Sequence, residues 1–230
     1  MLKTFLIIIN LHIFACASQI VLVVAENIHS SKAKLQRYQD NQKVASPIDV
    51  NIGKNGLAHG LGISTFKTNV KEPDKKEGDK KAPIGVFKLH YLFGYEKQDD
   101  NYKMDYMQVD EKYTCIDDAQ SKYYNSVLNF VDKDAKSFEY MKRDDDQYKL
   151  GIVVGHNDIK KPYAGSCIFM HVQKAQDAST AGCTSMSYKD LKELATWLDS
   201  KKDPILIQVA KEHLNQVKKQ YPNLNLEGFK

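Results

Sequence analysis

Apolar residues in this chain come in short runs separated by long polar stretches, and helical spacing is absent until residue 187. That pattern limits the fold to one built mainly from strands. "QIVLVV" (19–24) is β-branched and unbroken, as in a strand buried on both faces. "PIGVFKLHYLFGY" (83–95), "IVV" (152–154) and "PILIQV" (204–209) are strand-like as well. In "SCIFMHV" (166–172), Ile168, Met170 and Val172 fall on one face and Cys167, Phe169 and His171 on the other, because strand side chains alternate. Near the end, Leu191, Leu194, Ala195 and Leu198 follow helical spacing, with Ser187 as N-cap and Asp190 three residues on. Ala210, Leu214, Val217 and Tyr221 outline a second helix that stops before Pro222. The expectation is one mainly β domain with C-terminal helices.

The remaining segments are less regular. "SSKAKLQRYQ" (30–39) is polar and suits a short helix. "IDVNIGKNGLAHG" (48–60) alternates and then offers Asn55-Gly56, a hairpin turn signal. Residues 71–82 carry five lysines, four acids and no large apolar side chain, which predicts an exposed loop. The stretch 96–149 is rich in Tyr, Asp and Lys without clear period, which predicts long loops around the sheet. No internal repeat or linker divides the chain, so residues 18–209 are expected to form one domain, with 210–230 as a helical tail.

With 230 residues, 42% of them hydrophobic, the chain can bury a sizeable core. Its formal charge of +4 comes from 33 basic and 29 acidic residues that are interspersed, not the clustered basic stripe that nucleic acid requires. Residues 1–17 have the form of a signal peptide: Lys3, an apolar stretch from Thr4 to Phe14, then Ala15-Cys16-Ala17 as a small-residue cleavage site. Lipidation of Cys16 and an uncleaved anchor running on into "IVLVVA" remain open. Each route places the rest of the chain in the periplasm or cell envelope, with or without an N-terminal membrane anchor. Export would put Cys115, Cys167 and Cys183 in an oxidising compartment, where thiols pair. Three is odd, so one is left over.

"TAGCTSMS" (180–187) holds the thiol of most chemical interest, with His171 a short loop upstream. A thiol is only a few per cent ionised at neutral pH, so a nucleophilic Cys183 needs a base, which His171 could be. Gly182 permits a tight turn that aims the N–H groups of Cys183 and Thr184 at a developing oxyanion. On residue types and spacing alone, a buried thiol beside a satisfied core histidine fits better than a catalytic pair.

"IFMHV" followed by "STAGCTSMS" resembles the active-site signature of the L,D-transpeptidase (YkuD-type) family, a histidine followed by Ser/Thr-x-Gly-Cys. The similarity extends, in order, through "LVVAENIHSSKAKLQRYQ", "GKNGLAHG", "APIGVFKLHYLFGY", "CIDDAQSKYYN", "EYMKRDDDQYKLGIVVGHN" and "GSCIFMHV", covering residues 18–209. The resemblance implies a β-sandwich or barrel-like catalytic domain that acts on peptidoglycan stem peptides. Cys183 would be the nucleophile and His171 its base, with backbone amides of Gly182, Cys183 and Thr184 as the oxyanion hole and Thr180 shaping the loop. The family cleaves the bond before a terminal D-alanine through an acyl-enzyme that an amine or water resolves, with no metal or cofactor. A hydrolase on the same scaffold and a catalytically idle wall-binding protein are the alternatives.

Two positions depart from better-known members, which carry His where this chain has Ala181 and Arg where it has Ser185. Both bear on substrate positioning, and Lys189 and the lysine-rich segment 71–82 are candidate substitutes for the arginine. With Cys183 assigned in this way, Cys115 and Cys167 remain as either a disulfide or two free thiols. His59, near Gly60 and Gly62, either lines the cleft or serves a turn. Asp117 and Asp118 suit a turn better than paired acid–base work. His90, His156 and His213 lack the cysteine or carboxylate spacing of a zinc site. Trp197 lies in the helical pattern and suits packing.

Overall fold

The computed structural model describes residues 18–66 and 71–229; the expected signal peptide at 1–17 lies outside them. Fourteen strands run in chain order. They are β1 (Gln19–Ala25), β2 (Lys32–Gln39), β3 (Gln42–Lys43), β4 (Ile48–Asn51), β5 (Leu57–His59), β6 (Ala82–Gly94), β7 (Tyr106–Gln108), β8 (Thr114–Ile116), β9 (Val127–Leu128), β10 (Phe138–Tyr140), β11 (Leu150–Val154), β12 (Phe169–Val172), β13 (Thr184–Met186) and β14 (Ile205–Ala210). Two helices, α1 (Tyr188–Trp197) and α2 (Leu214–Gln220), complete the chain.

The main sheet closes on itself. Its order β1-β14-β6-β11-β12-β13-β4-β2 returns to β1 through an antiparallel β1–β2 pairing, so the circuit is barrel-like and mainly β, as expected. β5 and β7 both pair with β6 alongside the circuit, and β3 extends β2. Every residue of β1 is buried, which is why that run is apolar without alternation. The main core gathers Leu22, Phe87, Leu92, Ile152, Met170 and Ile207 between the circuit and the helices. Ser187 Oγ accepts from Asp190 N–H at 3.1 Å and starts α1, which buries Leu191, Leu194 and Ala195. Trp197 packs half-buried against this core. Leu214, Val217, Leu224, Leu226 and Phe229 of the tail lie in the same core. Among the described residues, no helix is long and apolar enough to cross a membrane.

Four expectations need correction. Residues 32–39 form β2, not a helix. Seven consecutive pairings with β1 capture the segment, and Ala33, Leu35 and Tyr38 are buried while Lys32 and Lys34 reach out to Asp177 and Asp49. Tertiary pairing overrides the polar composition. Asn55-Gly56 does make a turn, with Gly56 at φ +81°, but the strands it joins pair elsewhere, β4 with β2 and β13, and β5 with β6. The lysine-rich segment is not wholly exposed: the Lys75 side chain is 4% exposed and its Nζ lies 2.5 Å from Asp79 Oδ1.

Finally, 96–149 is not only loop. β7 extends the main sheet, and β8, β9 and β10 form a separate sheet in the order β10-β8-β9. Aspartates shape the turns between them. Asp99, Asp110, Asp118, Asp132 and Asp145 each accept the N–H two residues on. Such side-chain turns need no hydrophobic period, which explains the absence of one.

Candidate active site

His171 and Cys183 arrive from two neighbouring parallel strands. β12 and β13 pair with Met170 opposite Thr184, His171 opposite Ser185 and Val172 opposite Met186. Alternation sends Met170 and Val172 into the main core, whereas Cys167, Phe169 and Cys183 join a second, smaller cluster with Phe93, Cys115, Met141 and Tyr148. The two-faced reading of 166–172 thus matches the structure, although the strand proper begins at Phe169.

The loop before Cys183 is held tightly. Thr180 Oγ1 donates to the Cys183 carbonyl at 2.6 Å and accepts Gly182 N–H at 3.1 Å. Gly182 sits at φ +143°, and a Cβ there would lie 2.9 Å from the Lys81 carbonyl oxygen, so only glycine fits. Thr180 therefore shapes the loop, and the Gly182 N–H is engaged by its hydroxyl rather than facing the thiol. The thiol donates to the Cys167 carbonyl at 3.6 Å and receives the Phe169 N–H at 3.4 Å. Cys183 is 8% exposed. Burial, then the carboxylate of Glu139, pushes its thiol up to about 12.

His171 is 4% exposed, and its Nδ1 lies 2.8 Å from the Val172 carbonyl oxygen. A carbonyl only accepts, so Nδ1 carries the proton and Nε2 holds the lone pair. Burial lowers the ring to about 4, so it is neutral at pH 7. At pH 7 the thiol and the imidazole are thus both neutral. The Tyr148 ring stands edge-on to His171 at 5.3 Å, and its hydroxyl donates to Glu139 Oε2 at 2.6 Å. Burial raises the Glu139 carboxyl above the usual carboxylate range.

A disulfide joins Cys115 on β8 to Cys167, with Cα atoms 6.1 Å apart, and Cys183 is the free thiol. It ties the small sheet to the segment that cradles Cys183. Cys167 and Phe169, which hold the thiol, also line a cavity of about 200 Å³.

The other predicted residues divide. Ser185 lies on β13 beside His171, is 1% exposed, and its Oγ has no hydrogen-bond partner among the described residues. Lys189 lines a groove with Arg37 and Trp197 on α1 and does not contact Cys183. Lys75 and Arg143 are instead the cations whose charge acts on the thiol. Arg143 pairs with both oxygens of Asp145, at 2.8 and 2.7 Å, and lies 5.1 Å over the Tyr148 ring. Sequence reading missed Glu139, Arg143 and Tyr148. The signal was present as acid, base and aromatic in an otherwise polar stretch, but nothing set them apart from their neighbours.

His59 belongs elsewhere. Its Nε2 is 2.7 Å from Glu72, and its Nδ1 is 3.3 Å from Thr65 Oγ1. His213 is also bonded to Glu72, at 2.9 Å. Glu72, Glu212 and His213 bring their ligand atoms within 4.8 Å of one another, a grouping that chain spacing did not suggest. His156 is a satisfied core residue: Nδ1 accepts Leu61 N–H, and Nε2 donates to the Ala164 carbonyl. His90 pairs with Asp158. Asp118 accepts from Gln120 and Lys136 N–H groups, as a turn residue does.

Comparison with curated proteins finds no match, and comparison with solved structures finds none either. The family model of the L,D-transpeptidase catalytic domain (YkuD) matches residues 26–207, a span that holds β2 through the first half of β14, His171 and Cys183. The chain belongs to the YkuD family of L,D-transpeptidase catalytic domains.

Proposed function

We propose that this protein is an exported L,D-transpeptidase that acylates Cys183 with a peptidoglycan stem peptide and uses His171 as base. The observation that carries this reading is the pairing of β12 and β13. It sets a Nδ1-protonated, neutral imidazole and a free thiol on one side of the sheet, inside a chain of this family. Nε2 takes the thiol proton as sulfur attacks the carbonyl that precedes the terminal D-alanine. The C–N bond then breaks, and the same proton passes to the leaving amine. N–H groups of Cys183 and Thr184 receive the oxyanion. An acceptor amine resolves the thioester and restores the thiol.

Two features adapt the site. Substrate must displace the contact between the thiol and the Cys167 carbonyl before sulfur can turn to His171. Arg143 takes the role that arginine plays two residues after the cysteine in other members. Its planar fork suits a stem-peptide carboxylate, for which Asp145 stands in here.

The test is mass spectrometry of peptidoglycan fragments incubated with purified protein. Cross-linked or amino-acid-exchanged stems, lost in Cys183→Ala with the fold intact, are the expected result. Shortened stems alone would make the protein a hydrolase on the same scaffold. Unchanged activity in Cys183→Ala would end the proposal.

A further inference from the structure

Away from Cys183, two histidines and a buried carboxylate converge. Glu72 Oε2 lies 2.7 Å from His59 Nε2 and 2.9 Å from His213 Nε2. The Glu72 side chain is 1% exposed, His213 0% and His59 14%. Glu212 brings a further carboxylate oxygen to within 4.8 Å of the Glu72 and His213 ligand atoms, a grouping that His59 joins through Glu72. We propose that His59, Glu72 and His213, with Glu212 as fourth donor, form a binding site for one divalent transition-metal ion of the zinc class.

The donor set is the first reason. Imidazole and carboxylate ligands suit borderline divalent ions of this kind, and four donors match tetrahedral coordination. Bonds of about 2.0–2.2 Å to a tetrahedral ion place the ligand atoms about 3.3 Å apart. The two His–Glu contacts therefore lengthen by about half an ångström on binding, Glu212 draws in from within 4.8 Å, and His59, which meets the group through Glu72, moves towards His213. Glu212 is exposed and can move. Its Oε1 receives the Ile28 N–H at a long 3.3 Å.

The outer partners are the second reason. Metal-binding histidines almost always give their other N–H to an oxygen, which fixes Nε2 as the ligand atom. His213 Nδ1 lies 3.2 Å from the Ala210 carbonyl, and His59 Nδ1 lies 3.3 Å from the Thr65 hydroxyl. The same partners also serve the metal-free state. Ala210 N–H lies 3.3 Å from His213 Nδ1, and the Thr65 hydroxyl can donate as well as accept. Both rings can then turn their Nε2 protons to Glu72. The surroundings thus accommodate either tautomer, and entry of the ion gives up the long contact from the Ala210 N–H to His213 Nδ1.

Access is the third. His59, Glu72 and Asp74 line a cavity of about 450 Å³ that gives the ion a path inward. Lys71, Lys75 and Lys161 form another part of its wall, and Lys75 is already paired with Asp79. A bound ion would fasten three distant pieces of chain: the end of β5, the segment leading to β6, and the turn before α2. It shares no residue with the Cys183 site.

The test uses the full chain carrying Cys183→Ala, so that the thiol cannot hold the ion. Chelator-treated protein is titrated with zinc chloride by calorimetry and melted with and without zinc. Cobalt(II) absorption reports the ligand field. One equivalent bound, a raised Tm and a tetrahedral cobalt spectrum are expected. Glu72→Gln and His59→Gln should each weaken zinc binding at least about tenfold. His59→Gln, the less buried change, keeps the test usable if Glu72→Gln fails to fold. Absence of zinc binding at ~1 mM would overturn the proposal, as would undiminished binding in the variants, which would place the ion elsewhere.

Discussion

The two faces of β12 open onto different interiors. Ile168, Met170 and Val172 enter a large, mainly aliphatic core. Cys167, Phe169 and His171 face a smaller interior where a thiol, an imidazole, a phenol and a carboxyl are packed out of water. The large core stabilises by removing apolar area from water. Burial in the small one opposes the charged form of each of these groups: it raises the thiol, the phenol and the carboxyl and lowers the imidazole. One four-residue strand thus separates what keeps the barrel folded from what can react.

The sharpest way to break this comparison is His171→Ala. If the small interior is reactive through His171 as base, acylation should fall about 10²–10⁴-fold. Near-normal rates would assign His171 to packing. The effect should be kinetic, with the thermal transition still cooperative.

Next in size is the disulfide. Cys115 and Cys167 close a loop with a sequence separation of 52. Replacing both with alanine should destabilise the protein by about 4 kcal/mol through a less constrained unfolded chain. Urea denaturation measures it. A loss below about 1 kcal/mol would show that the small sheet is held by packing instead.

A third test uses protons. Burial leaves both His171 and His156 with values of about 4, against an ordinary 6.5. The unfolded chain takes up protons below pH 6.5 while the folded one resists until about pH 4. Stability is therefore complete above 6.5 and drains as pH falls towards 4, by about 3 kcal/mol per histidine. Stability curves at pH 7, 5.5 and 4.5 should show the slope, and His156→Gln should reduce it. A flat profile would mean that neither ring is desolvated.

The smallest effect concerns Ser185. Its buried hydroxyl has no partner among the described residues, so Ser185→Ala should stabilise the fold by about 1 kcal/mol. If stability falls instead, the hydroxyl is bonded to water. Ser185→Arg, by contrast, would overpack a position only 1% exposed and tells little about specificity.

Much of the barrel was legible because its central strands are buried on both faces and therefore largely apolar. β1 and β14 are examples, with Gln19 and Gln208 as their buried polar residues. β2 was not, since its lysines, glutamines and arginine match no strand pattern until β1 is beside it. The aspartate turns of 96–149 were equally opaque, because each is a local hydrogen bond without a hydrophobic signature. Cys183 and His171 were found through a short motif that lies within one stretch of chain. Glu72 and His213 were not, being 141 residues apart and joined only by the fold. Resemblance singled out Cys183, but only coordinates reveal that the charges of Arg143 and Glu139 act on it.

The closure of the sheet has a consequence for how the chain acquires its shape. β1 is the first strand of the described chain and β14 the last, yet the two lie side by side in parallel, Leu22 against Ile207. Until residues 205–210 exist, β1 and β6 present bare edges towards each other across the gap that β14 will fill. Pairings this distant in sequence fold slowly, because a long loop must close before any contact rewards it. The growing polypeptide consequently keeps its sheet open until residues 205–210 are made, and a truncation before Ile205 would leave not a smaller barrel but an open sheet prone to aggregation.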